Sequence, residues 1–457
     1  MRSSVSRRHL LGALPIGGSA VAASLAGCAS GGTGALGGGG SSGEVTELIV
    51  PTARTPWLDA YRAVAAAYEE VSGIRVVLRE FPYDGLYTQQ VNAIQNSALP
   101  FDVFQIDEAG LWKFFENDWV VPFDEIDDGF TIDSEVLTYA GLPFWDPKRR
   151  TSDDSGHVMG HPINGNMDLF VYRQDLYEEL GLSVPSTWDE ALHNAQSASS
   201  SGGIQYGHVP RSQATQNGLS VTYEFMPVFY SYGGSWFADE GVDWTPTINT
   251  DAGIAAATMY RELALTGPEE PMTIGQAEVI SLMQGGKALQ THVVAAAANQ
   301  FLDPDKSQIA DVVGFAEVPA ADPGGAPAPT SGTWSLCVPR GLAPERESAA
   351  LDYIRWVLSE DAQTMFMEAG GIPTRRTVLE SGAAGAGTGE ASSYLAPLAQ
   401  SMENVHAPVR YAFGPSMASQ AEKHLSRIAA GDVEPARGMA ELQDAVVDVV
   451  REAGLLS

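Results

Sequence analysis

An α/β fold is predicted, on two observations. Strand and helix signals alternate from Glu47 onward in the order β-α-β-α-β, the pattern of a parallel sheet covered by helices. Residues 44–457 are also enough chain for two ordinary domains with substantial cores, and those cores must carry the stability. The only cysteines are Cys28 and Cys337, and an acylated Cys28 leaves no disulfide.

The first strand is "TELIVPTARTP", an apolar run broken at Pro51. Thr55 and Pro56 then read as N-cap and first residue of a helix. Tyr61, Val64, Tyr68 and Val71 follow at helical spacing, and Ser72-Gly73 stops them. Ile74–Phe81 is the second strand, a helix is expected from about Gly85 to Ala98, and Phe101–Asp107 is the third strand, followed by the helix "EAGLWKFFEND". Ligands in such sheets bind beyond the carboxyl ends of the strands, which points at Thr52–Arg54, Tyr83-Asp84 and Asp107-Glu108. Further on, "HPINGNMDLFVYRQDLYEELGL" contains a strand, and Thr187 with Glu190 makes a capping box. Helices are expected around Gly253–Leu265, Gly275–Gln284, Ala349–Leu358 and Ala418–Ile428.

Residues 1–43 belong to no domain. Arg7-Arg8 precede an uncharged stretch, Leu10–Gly27, that is long enough for a membrane helix but holds Pro15 and many Gly, Ala and Ser residues. A positive start, a modest apolar run and a small-residue end describe an export signal. Ser6-Arg7-Arg8 resembles a twin-arginine signal. Leu25-Ala26-Gly27-Cys28 resembles the lipobox of bacterial lipoproteins, which implies cleavage after residue 27 and acylation of Cys28. Residues 28–43 then form a lipidated cysteine and a Gly/Ser tether spanning about 20 Å.

The chain carries 26 basic and 57 acidic side chains, net −31. Since residues 1–27 hold three arginines and no acid, the exported body is more acidic still. Such a surface is repelled by nucleic-acid phosphates and anionic lipid, which excludes nucleic-acid binding and leaves the lipid as the only membrane contact.

Several landmarks in order resemble the extracellular solute-binding proteins of ABC importers, the sugar-binding family that includes maltose-binding protein. They are "YRAVAAAYEEVSGIRVV", "LPFDVFQIDEAGLWKFFENDWVVPFDEI", "GHPINGNMDLFVYRQDLYEELGLSVPSTWDEAL", "LMQGGKAL", "SGTWSLCVPRGLAPERES" and "GGIPTR". The resemblance implies two α/β lobes joined by three crossings, a type II periplasmic-binding fold. The crossings are expected near Asn164–Met167, Ala288–Thr291 and Val338–Arg340. Lobe one would be 44–165 plus 290–338, and lobe two 168–288 plus 340–457.

The implied function is capture of a sugar or oligosaccharide between the lobes and its delivery to the transmembrane subunits of a permease. The protein would be a lipid-anchored monomer on the extracytoplasmic face of the membrane, with no cofactor and no catalysis. A non-sugar solute (a peptide, a polyamine or another polar solute) is one alternative, and an enzyme on the same scaffold using Cys337 is another.

A sugar offers C–H faces to aromatic rings and hydroxyls to paired donors and acceptors. The resemblance places Asp107, Asn166, Tyr223, Trp334 and Arg375 at ligand positions, with Arg54, Tyr83, Asp84 and Trp236 as further candidates. Each has a plainer reading: Asp107 as a helix cap, Asn166 as a turn residue, Tyr223 and Trp334 as core aromatics, Arg375 as an ion-pair partner. Where relatives often have Gly and Trp after "GGKALQTH", this chain has Val293-Val294 and alanines, which removes a stacking surface. His157 and His161 have the spacing of a zinc pair, but Gly156, Gly160 and Pro162 argue against the helix such a pair needs. No metal is expected, and Cys337 in "WSLCVP" reads as an inert core thiol.

Overall fold

The computed structural model describes residues 44–95, 99–215, 219–385 and 392–456. The export signal (1–27), Cys28 and the tether (28–43) lie outside them. β1 (Glu47–Ala53) and β2 (Arg75–Phe81) pair in parallel, with α1 (Leu58–Ser72) as the crossover. α1 buries Tyr61, Val64 and Tyr68 and ends at Gly73 in the left-handed region, φ 74°. It begins at Leu58 rather than at Pro56, with Trp57 at the cap and no side-chain capping bond. Arg54 is still held by the strand ends, its N–H donating to the Phe81 carbonyl at 3.0 Å. α2 (Tyr83–Gln95), β3 (Phe104–Asp107) and α3 (Glu108–Glu116) follow, then β4 (Val120–Val121), α4 (Phe123–Ile126), β5 (Phe144–Trp145), β6 (His157–Val158) and β7 (His161–Asn164).

The second sheet begins with β8 (Asp168–Arg173), and α5 (Gln174–Leu180), α6 (Trp188–Ser201) and β9 (Tyr206–His208) come next. Thr187 caps α6, accepting from Glu190 N–H at 3.2 Å, and the Glu190 carboxylate reaches back to the Ser186 N–H at 2.7 Å. α7 (Val221–Ser231), the hairpin of β10 (Phe237–Asp239) and β11 (Asp243–Pro246), α8 (Asp251–Ala264) and α9 (Gln276–Gln284) lead to β12 (Ala288–Val294), α10 (Ala298–Leu302) and β13 (Val313–Ala316). The strand order is β13-β8-β12-β9.

β14 (Trp334–Pro339) is the centre of a separate four-stranded sheet in lobe one, antiparallel to β3, β4 and β7. The continuous parallel sheet expected from β1 to β3 therefore does not form, and only β1 and β2 pair in parallel there. α11 (Pro344–Val357) and α12 (Glu360–Glu368) pack in the first core, where Tyr353, Ile354 and Phe366 meet Tyr61, Val64 and Leu336. α13 (Arg376–Ala383), α14 (Ser392–Ser401), α15 (Gly414–Ala429) and α16 (Pro435–Glu452) complete the chain. α14 lies on β13, and α15 and α16 lie on α7 and α8.

The chain thus passes between the sheets three times: at Asn164–Asp168, through Ser331–Thr333, and through Ile372–Thr374. The passes run side by side. Gly165 N–H donates to the Ile372 carbonyl and Gly332 N–H to the Asn166 carbonyl, both at 2.9 Å. Residue 165 must be glycine, since a Cβ there would come within 2.3 Å of the Tyr139 hydroxyl and 2.6 Å of the Pro373 carbonyl.

The expected crossings at Ala288–Thr291 and Val338–Arg340 are corrected by these pairings. β12 is buried at every residue and bonded on both sides, by β8 and β9, so it is a central strand of the second sheet and not a pass between lobes. Residues 290–316 therefore stand with lobe two rather than lobe one. α11 and α12 stand with lobe one because their apolar faces fill its core.

Candidate functional site

A cleft of about 330 Å³ opens where β1 and β3 end, as the rule for α/β sheets requires. Lobe one contributes Arg54, Thr55 and Trp57 beyond β1, Tyr83 beyond β2, and Asp107 at the end of β3. Asn166, Ser331 and Gly332 come from the crossings, and Arg211, Tyr223 and Gln276 from lobe two.

Asp107 is at once the N-cap of α3 and a wall of the cleft. Its Oδ1 accepts from Ala109 N–H at 2.9 Å, and its Oδ2 accepts from the Tyr83 hydroxyl at 2.9 Å. Burial raises its pKa, and these two bonds oppose the rise. Trp334 packs its ring against Trp57 (centroids 6.1 Å) and Tyr83 (5.8 Å), both edge-on. Only 5% of Trp334 is exposed, so it is a core residue of lobe one that also lines the cleft.

Tyr223, early in α7, donates its hydroxyl to the Thr330 carbonyl at 2.9 Å and so closes the second crossing from below. The Arg211 guanidinium lies over its ring, 5.2 Å from the centroid. The Asn166 side chain is spent on the crossings: Oδ1 accepts from Ala296 N–H at 2.9 Å and Nδ2 donates to the Gly332 carbonyl at 3.3 Å. Arg54 is largely exposed at the rim, 3.9 Å from Glu80. Val294 and Ala296 line the cleft with small side chains. His292, just before them, is buried and hydrogen-bonded to His208 and to the Glu224 carbonyl.

Six of the expected ligand residues thus share one cleft: Asp107, Asn166, Tyr223, Trp334, Arg54 and Tyr83. Asp84 stands beside Tyr83 in the first turn of α2. Arg375 and Trp236 stand elsewhere. Arg375 pairs with Asp133 at 2.7 Å and donates to the Leu358 carbonyl at 3.2 Å, bracing the start of α13. Trp236 is buried against Phe229, with its indole N–H on the Tyr230 hydroxyl at 3.0 Å.

Trp57, Arg211 and Gln276 were not foreseen. Trp57 and Arg211 were within reach of the strand-end rule, since both lie a few residues past the carboxyl end of a strand (β1 and β9).

Two buried ion pairs support the cleft. Glu108 accepts from Arg410 Nη1 at 2.7 Å, the Ser331 hydroxyl at 2.6 Å and the Thr333 N–H at 3.0 Å. Glu224 Oε1 lies 2.7 Å from Arg211 Nε, and its Oε2 accepts from the Arg211 backbone N–H at 2.6 Å. Burial pushes both carboxyls up to about 7, against the pull of their arginines.

The cleft offers aromatic rings, one carboxylate free of an ion pair (Asp107) and guanidinium donors, which suits reversible binding of a small polar solute. The Cys337 thiol is fully buried in β14 and pushed up to about 12, so it is not poised as a nucleophile. Among the described residues, no group of three or more His, Cys, Asp or Glu side chains could hold a metal ion. None of the described helices is long and apolar enough to cross a membrane.

The family model of bacterial extracellular solute-binding proteins matches residues 54–364. A probable amino-acid ABC transporter periplasmic-binding protein of Sinorhizobium fredii is 26% identical over 330 residues, covering 70% of this chain and 71% of the relative. Among solved structures, a ribitol complex of an ABC transporter solute-binding protein from Agrobacterium radiobacter is 20% identical, with a TM-score of 0.71, and covers 89% of this chain and 98% of the other. Maltose-bound MalE3 of T. maritima, 20% identical, aligns with a TM-score of 0.72 over 88% of this chain and 99% of its own. The cycloalternan complex of a Listeria monocytogenes ABC substrate-binding protein, 14% identical, aligns with a TM-score of 0.73 over 90% and 100%. These likenesses share the two-lobed fold, and the family match covers most of the body: the chain belongs to the bacterial extracellular solute-binding proteins.

Proposed function

We propose that this protein is the solute-receptor component of an ABC importer and captures a sugar or sugar alcohol in the cleft between its lobes. The observation that carries this reading is the combination of aromatic faces (Trp57, Trp334, Tyr83) with the Asp107 carboxylate in a space of about 330 Å³. Ring faces suit the C–H surfaces of a polyol, and a carboxylate held by two donors still accepts from a hydroxyl. The volume lies at the low end of ligand sites, roughly 300–1,000 Å³, and so favours a small ligand over a long oligosaccharide. The solutes named with the aligned structures, ribitol and maltose among them, support the same class.

A polyamine would need several free carboxylates. Here Glu108 is committed to Arg410, and two arginines line the space. The Sinorhizobium relative's name points to amino acids, so these belong in the test. The protein acts as a monomer without catalysis, reaches the cell surface through its export signal, and stays there through an acylated Cys28. It hands its solute to the transmembrane subunits of the permease.

A thermal-shift screen of the body from residue 44 against sugars, sugar alcohols, amino acids and polyamines tests the reading. A neutral polyhydroxy compound is expected to give the largest stabilisation. Stabilisation by an amino acid or a polyamine alone would replace it.

A further inference from the structure

Four charged side chains line the cleft: Arg54, Asp107, Glu108 and Arg211. Two have a buried opposite charge of their own behind them: Glu108 has Arg410 at 2.7 Å, and Arg211 has Glu224 at 2.7 Å. Arg54 is exposed at the rim, 3.9 Å from a Glu80 that Arg62 holds more closely. Among the described residues Asp107 is held by the Tyr83 hydroxyl and the Ala109 N–H and has no ion-pair partner.

The Arg211–Glu224 pair is unusual. Arg211 is 4% exposed and Glu224 fully buried, with Arg211 Nε 2.7 Å from Glu224 Oε1, and Arg211 also lines the cleft. Among the described residues Nη2 has no hydrogen-bond partner. A buried guanidinium with free donors is an anchor waiting for acceptor oxygens. Taken alone, it would favour a carboxylate or another planar anion. The carboxylate of Glu224 directly behind it cancels that preference.

We infer that Glu224, which touches no ligand, sets the charge class of the solute through Arg211: it converts an anion hook into a donor for neutral oxygens, so that the cleft takes uncharged sugars or sugar alcohols and rejects sugar acids. This rests on the proposed sugar-binding function. It adds a residue outside the cleft that decides between two kinds of sugar.

The test replaces the carboxylate by its isostere, Glu224→Gln. The side-chain oxygen that accepts from the Arg211 backbone remains, while the charge goes and an amide NH2 takes the place of the oxygen that faced Arg211 Nε. Sulfate serves as a probe independent of the sugar's identity, read by quenching of the cleft tryptophans and by thermal shift. Glu224→Gln is expected to bind sulfate roughly tenfold or more tightly than the parent, as a newly uncompensated buried cation requires. Adding Arg211→Met to it is expected to abolish the gain while restoring a charge-neutral interior. In parallel, gluconate and glucuronate are compared with D-mannitol, ribitol and maltose. The parent is expected to favour the neutral set, and Glu224→Gln to shift the ratio toward the acids.

Equal sulfate affinity in the parent and Glu224→Gln overturns the inference, as does a parent that already prefers the acids. If no sugar binds any variant, the sugar-binding reading fails, and the sulfate comparison still decides the role of Glu224.

Discussion

Glu108 and Arg410 form an ion pair at 2.7 Å with 2% and 1% of their side chains exposed, and the pair ties four separate segments together. Glu108 opens α3 and also accepts from Ser331 and Thr333 in the second crossing. Arg410 also donates to the carbonyls of Tyr139 and Ala140, two non-glycine residues in the left-handed region. The floor of the cleft is thus fixed by charge and hydrogen bonds rather than by apolar contact.

Breaking one side of this pair is expected to be severe. Arg410→Met leaves a buried carboxylate alone and should cost about 3–5 kcal/mol of unfolding free energy. The double variant Glu108→Gln with Arg410→Met removes both charges and should recover much of that loss. Urea denaturation of the parent and both variants measures it.

Stability should fall as the solution becomes more alkaline. Glu108 and Glu224 have an ordinary value of 4.5 and are raised by burial to about 7. Between these values the folded state holds protons that the unfolded state has released, so unfolding free energy decreases as pH rises through the window. Asp168 and Glu422, also raised by burial, act in the same direction. Below about 6.5 this is opposed by His161, His208, His292, His406 and His424, all held below their usual value by burial, so the fall is expected above it. The melting temperature without ligand is expected to be higher at about pH 6.5 than at about pH 8, and Glu224→Gln should flatten that slope. A melting temperature that rises across this window would contradict the account.

Trp334 and Tyr83 should separate core from cleft. Trp334→Ala removes a ring packed in the first core and is expected to cost about 3–5 kcal/mol of stability in addition to weakening binding. Tyr83→Phe removes only the hydroxyl donated to Asp107, so it should weaken binding by about 1 kcal/mol with little change in melting temperature. Calorimetry and thermal melts on both variants check the contrast.

The proposed lipid anchor at Cys28 predicts a fractionation result. With Cys28→Ser no acylation site remains, and the protein is expected to move from washed membranes to the soluble fraction. Retention in the membranes would remove the lipoprotein reading.

Much of this cleft was legible because strand ends can be read locally. Asp107 closes an apolar run and Tyr83 follows one, so the strand-end rule points at both, while Trp334 begins one and was indicated by the family resemblance. Arg375 and Trp236 went astray because sequence does not show which way a side chain turns at a helix start or a hairpin: one braces α13, the other fills lobe two. Arg211 was missed because its significance depends on Glu224, thirteen residues away on another element, and on a burial that its residue type argues against. The second and third crossings were misplaced for a related reason. The resemblance put a pass between lobes at Ala288–Thr291, and only the pairing of "ALQTHVV" with β8 and β9 reveals a central strand.

The central claim is that the solute sits at the ends of β1 and β3, against Asp107. Titration calorimetry of the best compound from the thermal-shift screen against the parent and Asp107→Asn tests it most directly. The parent should bind one molecule per chain, and at about 100 times the dissociation constant that compound should add about 2.7 kcal/mol of stability. Asp107→Asn keeps the size of the side chain and a capping oxygen for α3, so its melting temperature without ligand should stay close to the parent's while binding weakens by about 2 kcal/mol. An Asp107→Asn protein that binds as tightly as the parent would place the solute elsewhere and contradict the account.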